Sequence, residues 1–295
     1  MIPPKIYIGT SGWSYKDWVP NFYPCQQSST FDFLKYYSGY FNTVEVNSTY
    51  YTYINPQIVE GWINKVEEKD EFLFTIKLHQ DFTHKRKYNK DNIKSVKLIL
   101  DKLSNAERLS GLLIQFPYSF MLNKENANHI KALIDTFPEY EKYIEVRHKS
   151  WYIERFFNFL KENRSALCTI DQPEIGQAVS FNPVIAGDTA YIRFHGRNEE
   201  AWTNSIKSSG QEQTYEQRSE RYNYLYTPAE IIDAGLRIKE ILNAVKKVLI
   251  YYNNHPKGNA AANAFELINF LIGSDVIKIP ETILKAFPRL SNKNK

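Results

Sequence analysis

The stretch Tyr143–Trp151, YIEVRHKSW, sets Ile144 and Val146 in alternation with Glu145 and Arg147. Successive side chains of a strand point to opposite faces, so the two apolar residues share one face and the two charged residues the other. In an α/β protein with helices packed outside the sheet, Ile144 and Val146 meet the helices. Glu145 and Arg147 then point to the other side, where full charges are costly unless paired or used. The fold turns on whether other strands repeat this pattern.

They do. Strands are expected at Lys5–Gly9, Thr43–Asn47, Glu71–Lys77, Gly111–Phe116, Tyr143–Arg147, Ala166–Ile170, Ala190–His195 and Val248–Asn253. Helical spacing and capping signals fall between them. Helices are expected at Ser28–Phe41, from Asn55-Pro56 to about Glu67, at Ile93–Ala106, Asn123–Phe137 and Ser150–Asn163, from Thr227 to about Lys246, and at Ala260–Gly273. Gln172–Gly187 reads as an irregular crossover and 196–226 as a long polar loop. Eight βα units with no Pro-, Gly- or Ser-rich linker predict a single-domain, TIM-like (β/α)8 barrel over residues 1–290, with a basic polar tail at 291–295. A doubly wound open sheet is the alternative.

The composition narrows the classes. Of 295 residues, 43% are hydrophobic and 24% charged, enough for a sizeable core. A net charge of +4 allows anionic ligands but falls short of a dedicated DNA-binding domain. Cys25 and Cys168 lie far apart with no metal-ligand spacing. The start lacks the pattern of a signal peptide, and no apolar run approaches the roughly 18 residues of a membrane span. A soluble, cytoplasmic protein with no membrane partner is expected.

In such a barrel the site lies at the C-terminal ends of the strands. Glu45, Asn47, Lys77, Gln115, Glu145, Arg147, Arg193, His195 and Asn253 fall there in the inward phase, and Asp171 directly follows the sixth strand. The opposite phase is apolar throughout: Val44 and Val46, Phe74 and Ile76, Ile114 and Phe116, Ile144 and Val146, Ile192 and Phe194. The plain reading is a structural network, because Lys77, Arg147 and Arg193 balance Glu45, Glu145 and Asp171. The functional reading is a pocket. The three cations suit capture of a phosphate or carboxylate, and Glu45, Glu145 and His195 are the expected catalytic acid/base groups. Asn47, Gln115 and Asn253 are orienting amides. Asp171 and Trp13, in the turn Gly9–Trp18, complete the expected substrate contacts.

Glu45, Glu145, Asp171 and His195 are also ligand types for a divalent metal, but three cations in the same ring oppose one. No cofactor is expected, and a metal is the lesser alternative. Lys85-Arg86-Lys87 reads as a solvated loop, or as an attractor of polyanions. Trp202 and the 196–226 loop are lid candidates. These features predict an enzyme acting on a small anionic ligand, of hydrolase, lyase or isomerase type in preference to oxidoreductase. A nucleic-acid-binding or metal-dependent phosphodiester-cleaving barrel and a non-catalytic ligand-binding protein are the alternatives.

Several stretches, in order, resemble domain-of-unknown-function family 72, the YecE-like proteins. They are GTSGWSYKDW (9–18), FYP (22–24), FNTVEVNSTYY (41–51), FTIKLHQDFTH (74–84), LIQFP (113–117), EVRHKSW (145–151), YIRFHGRN (191–198) and NNHPKGNAAANA (253–264). The resemblance spans nearly the whole chain and implies a (β/α)8-like barrel without implying a reaction. In the last motif it implies an acidic residue where this chain has His255. The fold analogy extends to metal-dependent endonuclease and sugar-isomerase barrels, whose histidine-rich ligand sets this chain lacks.

Overall fold

The computed structural model describes residues 3–207, 214–273 and 276–291. Eight parallel strands close into a barrel in sequence order: β1 (Lys5–Ser11), β2 (Thr43–Val46), β3 (Leu73–Lys77), β4 (Leu109–Gln115), β5 (Lys142–Glu145), β6 (Ser165–Asp171), β7 (Thr189–Phe194) and β8 (Lys247–Tyr252). Pairing of β1 with β8 closes the ring.

The two phases of the strands build two cores. Val44, Val46, Phe74, Ile76, Ile114, Ile144, Val146, Ile192 and Phe194 are buried in the shell between sheet and helices. The inner face carries a separate cluster that includes Tyr7, Leu113, Tyr143, Cys168, Tyr191, Leu249 and Tyr251. Four tyrosines inside one barrel need small neighbours and hydrogen-bond partners for their hydroxyls. Tyr251 reaches the hydroxyls of Thr43 at 2.7 Å and Thr75 at 2.8 Å. Tyr143 donates to the Ser110 carbonyl at 2.6 Å and stacks on Tyr191, centroids 4.2 Å apart. Gly9 is the tightest point, since a Cβ there would lie 2.0 Å from the Thr43 carbonyl oxygen.

Local signals account for the helix starts. Asn55 accepts from Gln57 N at 2.9 Å, with Pro56 in the first turn of the helix Pro56–Lys65. Thr227 and Glu230 form a capping box at the helix Pro228–Ile241. Three expectations change. The first helix is only Phe33–Tyr37, because Asp32 caps it by accepting from Lys35 N at 2.9 Å. The expected helix Ser150–Asn163 splits into a 3-10 turn, Lys149–Trp151, and a helix, Glu154–Glu162. The Trp151 indole, which donates to the Phe120 carbonyl at 2.7 Å, pulls the chain inward between them.

The third change is the polar segment 196–226, read above as a loop. It folds into a helix at Glu199–Lys207, a helix at Tyr215–Ser219 and a 3-10 turn at Glu220–Tyr222. A further helix, Glu281–Ala286, follows the expected last one, which spans Asn259–Leu271. Of the expected tail 291–295, residues 292–295 lie outside the described residues. Among the described residues no helix is long and apolar enough to cross a membrane.

The packing makes opposite predictions for two glycines. Gly9→Ala lowers the midpoint of urea unfolding, because its methyl meets backbone. Gly61→Ala, in a helix with nothing within 4 Å of the added carbon, raises stability by about 0.5–1 kcal/mol. Equal midpoints for the two variants would contradict this packing.

Candidate functional site

The inner aromatic layer supports a charged one. Glu45, on β2, is fully buried and receives three donors. Tyr191 donates its hydroxyl to Oε2 at 2.7 Å, Arg193 donates Nε to the same oxygen at 2.8 Å, and a terminal Arg193 nitrogen donates to Oε1 at 2.7 Å. The remaining Arg193 nitrogen bonds Glu145 Oε2. Arg193, 1% exposed, is thus held between two carboxylates, one from β2 and one from β5. Arg147 closes the set, with Nε and a terminal nitrogen 2.8 and 2.7 Å from Glu145 Oε1. Burial by itself would raise the Glu145 carboxyl, but Arg193 and Arg147 outweigh it and hold the group well below the usual carboxylate range.

His195 completes the layer from the end of β7. Its Nδ1 lies 3.0 Å from Asn253 Nδ2, and its Nε2 lies 3.2 Å from Arg147 and 3.4 Å from Glu145 Oε1. Burial first and the Arg147 cation second keep the imidazole well below its ordinary pKa, hence neutral at pH 7. Trp202 and Tyr222 cover it, ring centroids 6.3 and 6.1 Å away.

Above this layer, two adjoining clefts open at the C-terminal end of the barrel. The larger, about 490 Å³, is lined by Tyr50, Lys77, Gln115, Arg147, Trp202 and Arg221, among others. The smaller, about 290 Å³, is lined by Trp13, Asn47, Tyr51, Tyr222, Asn253 and His255, among others. Lys77, Tyr51 and Tyr222 line both. Of the expected site residues, Trp13, Asn47, Lys77, Gln115, Arg147 and Asn253 therefore face the clefts. Glu45, Glu145, His195 and Arg193 form the buried floor and line neither.

Asp171 does not join them. Cys168 and Ile170 take the inward phase of β6, so Asp171 turns to the outer side in register with Phe194. There it accepts from Tyr226 at 2.6 Å and from Arg197 Nε at 2.9 Å. A substrate contact by Asp171 is thus replaced by an ion pair at the rim. Its departure also divides the expected metal ligands. Among the described residues no group of three or more His, Cys, Asp or Glu side chains is placed to hold a metal ion. The basic loop is partly spent as well, because Lys85 pairs with Asp81 at 3.1 Å and Arg86 with Glu125 at 2.8 Å.

The cations facing the larger cleft are less well matched. Among the described residues, Lys77, Arg218 and Arg221 have no carboxylate within ion-pair distance. Lys77 Nζ instead sits 4.5 Å from the centre of the Tyr50 ring. Burial first and the nearby Arg193 second bring its ammonium down to about 7, against the pull of Glu45 and Glu145. Arg221 lies over Trp202 and Tyr222, and its buried Nε has no partner among the described residues. Burial would raise the Tyr222 phenol, but Arg221, Arg147 and Arg193 lower it below its ordinary value. The cleft is therefore electropositive.

Arg218, Arg221, Tyr215 and Tyr222 were not legible as site residues. All four lie in the segment read as a loop. The capping box Thr214–Gln217 is the one local signal there, since it marks a helix start rather than coil.

These features define a parallel (β/α)8 barrel with a paired ionic floor and a cationic cleft at its mouth. The chain belongs to the family described as Protein of unknown function DUF72, which matches residues 7–283. It is 28% identical over 278 residues to the UPF0759 protein YunF of Bacillus subtilis, covering 90% of this chain and 94% of that one. It is 26% identical over 151 residues to YecE of Escherichia coli, half of each chain. A solved DUF72-family structure from Thermotoga maritima superposes with a TM-score of 0.74 at 30% identity, over 90% of this chain and 99% of that one. One from Enterococcus faecalis gives 0.74 at 25% identity, over 90% and 95%.

The Lys77 environment is directly testable by competitive acylation with trace acetic anhydride, which reads the fraction of each amine that is neutral. Lys77 is expected to lose half its reactivity as pH falls through about 7. Ordinary lysines do so near 10.4. A Lys77 that titrates with the other lysines would overturn the assignment.

Proposed function

We propose that this barrel is an enzyme that binds a small phosphate- or carboxylate-bearing substrate at its mouth and transfers a proton to or from it. The observation that carries the reading is the convergence of Lys77, Arg147, Arg218 and Arg221 on one cleft of about 490 Å³, three of them without carboxylate partners among the described residues. An anion would supply the charge the cleft lacks, and Arg147 and Arg221 offer the planar donors that match it.

In this reading the acid/base work moves from the glutamates and His195 to Lys77. Glu45 and Glu145 are saturated by arginine donors and His195 is sealed beneath Trp202, so we assign them positioning roles. Glu145 sets the angle of Arg147, and Asn253 sets the ring of His195. Lys77, near neutrality in the shared wall of both clefts, accepts or returns a proton at pH 7 without an external base. Gln115 lines the same cleft and orients the bound group through its amide. Such chemistry is of hydrolase, lyase or isomerase type and calls for no redox cofactor. The two cysteines are unpaired and one is exposed, which fits a reducing compartment, and we assign the chain to the cytoplasm.

Calorimetric titration with inorganic pyrophosphate tests the anion site. The wild-type chain is expected to bind it, and Arg221→Gln to weaken binding about tenfold or more while the urea midpoint holds. Absence of binding by the wild type, or equal affinity in the variant, would remove the basis of the reading. Incubation with a metabolite extract then separates an enzyme from a ligand-binding protein. The wild type should deplete an anionic metabolite that Lys77→Met leaves intact, whereas binding without depletion supports the non-catalytic alternative.

A further inference from the structure

The smaller cleft is built differently from its neighbour. Its walls carry Trp13, Tyr15, Tyr51, Tyr215, Tyr222 and His255. Tyr51 and Tyr215 stand at its edge, 64% and 55% exposed. Exposed aromatic rings gain nothing from water, and two of them over one cleft form a surface for a flat partner.

The polar groups within the cleft are also incomplete. His255 stacks on Tyr15, ring centroids 4.6 Å apart and planes within 4°, which fixes the imidazole plane. The residue is 7% exposed, yet its Nδ1 is buried with no hydrogen-bond partner among the described residues. The carbonyl oxygen of the Asn47 side chain, in the same lining, is buried and has no partner among the described residues. Its amide nitrogen is already turned toward Ser11 O and Asn253 Oδ1, each at 3.4 Å. A buried polar atom left alone costs about 1–3 kcal/mol, so these two atoms mark places where a ligand's polar edge belongs. A ligand with flat apolar faces and a hydrogen-bonding edge satisfies rings and polar atoms together. A heterocyclic base has that form, whereas an alkyl chain would leave both polar atoms unmet.

The clefts share Lys77, Tyr51 and Tyr222, so one ligand can enter both. We infer that the smaller cleft is a base-binding subsite and that the ligand belongs to the nucleoside 5′-phosphate class, its base among Trp13, Tyr51, Tyr215 and His255 and its phosphate toward Arg147 and Arg221. This inference rests on the anion site proposed above and extends it to a substrate class. It also gives His255 a use. Where the family resemblance implied an acidic residue, this chain places a ring that stacks on Tyr15 and lines the cleft without adding charge. Burial lowers that imidazole to about 4, so it is neutral at pH 7.

Calorimetric titration at fixed salt with 5′-AMP, 5′-GMP, 5′-CMP, 5′-UMP, ribose 5-phosphate and adenosine tests the inference. At least one nucleotide is expected to bind about tenfold or more tightly than ribose 5-phosphate, the gain of stacking one base. The exposed-site variant Tyr215→Ala, at a ring that lines the smaller cleft and not the larger, should erase that gain and leave ribose 5-phosphate affinity unchanged. Arg221→Gln should weaken nucleotides and ribose 5-phosphate alike. Nucleotides no tighter than ribose 5-phosphate would overturn the base subsite and leave the anion site standing. Adenosine binding as tightly as AMP would overturn the anion site and leave the ring surface standing. No binding by any probe would overturn both.

Discussion

The structure depends on the cost of placing the Arg193 guanidinium inside a closed barrel. A fully buried cation is tolerated only when carboxylates and hydrogen bonds replace its lost water. Arg193 meets that requirement by reaching Glu45 on β2 and Glu145 on β5 at once, with Tyr191 completing the Glu45 shell. This ties three strands across the barrel interior and fixes a floor. Arg147, bonded to the second oxygen of Glu145, is thereby held at the edge of that floor.

The same accounting leaves cations over. Two carboxylates serve Arg193 and Arg147, so nothing remains for Lys77, and the third expected carboxylate, Asp171, is engaged by Arg197 and Tyr226 at the rim. Lys77 answers by a lowered proton affinity, and Tyr222 shows the same field through its lowered phenol. The segment between β7 and the helix Pro228–Ile241 then adds Arg218 and Arg221 from above, with Trp202 packed against both Arg147 and Arg221. The charged ring therefore divides by whether its members are paired. Glu45, Glu145 and Arg193 hold one another, whereas Lys77, Arg218 and Arg221 hold no carboxylate among the described residues.

Much of this was legible in the sequence because a strand's period of two is rigid. Val44 and Val46 against Glu45, or Ile192 and Phe194 against Arg193, reveal the inner face with no further knowledge. The barrel and most of its floor followed. Phase failed at Asp171, whose position one residue past Ile170 placed it on the outer side. Alternation also reveals nothing of depth. It could not separate Glu45, in the floor, from Lys77, above it, so its acid/base candidates differ from the one proposed here. The segment 196–226 was opaque for another reason. Its helices are short and polar, and apart from the capping box at Thr214 no local pattern marks them.

Urea unfolding at pH 7.5 of Glu45→Gln beside Lys77→Met reads whether the charges divide into a closed set and an open one. Removing Glu45 strips a buried cation of its main partner and should cost roughly 3–5 kcal/mol. Removing Lys77, which holds no carboxylate among the described residues, should change stability by less than about 1 kcal/mol in the unfavourable direction. A Lys77→Met chain destabilised as much as Glu45→Gln would contradict the division and return Lys77 to the structural network.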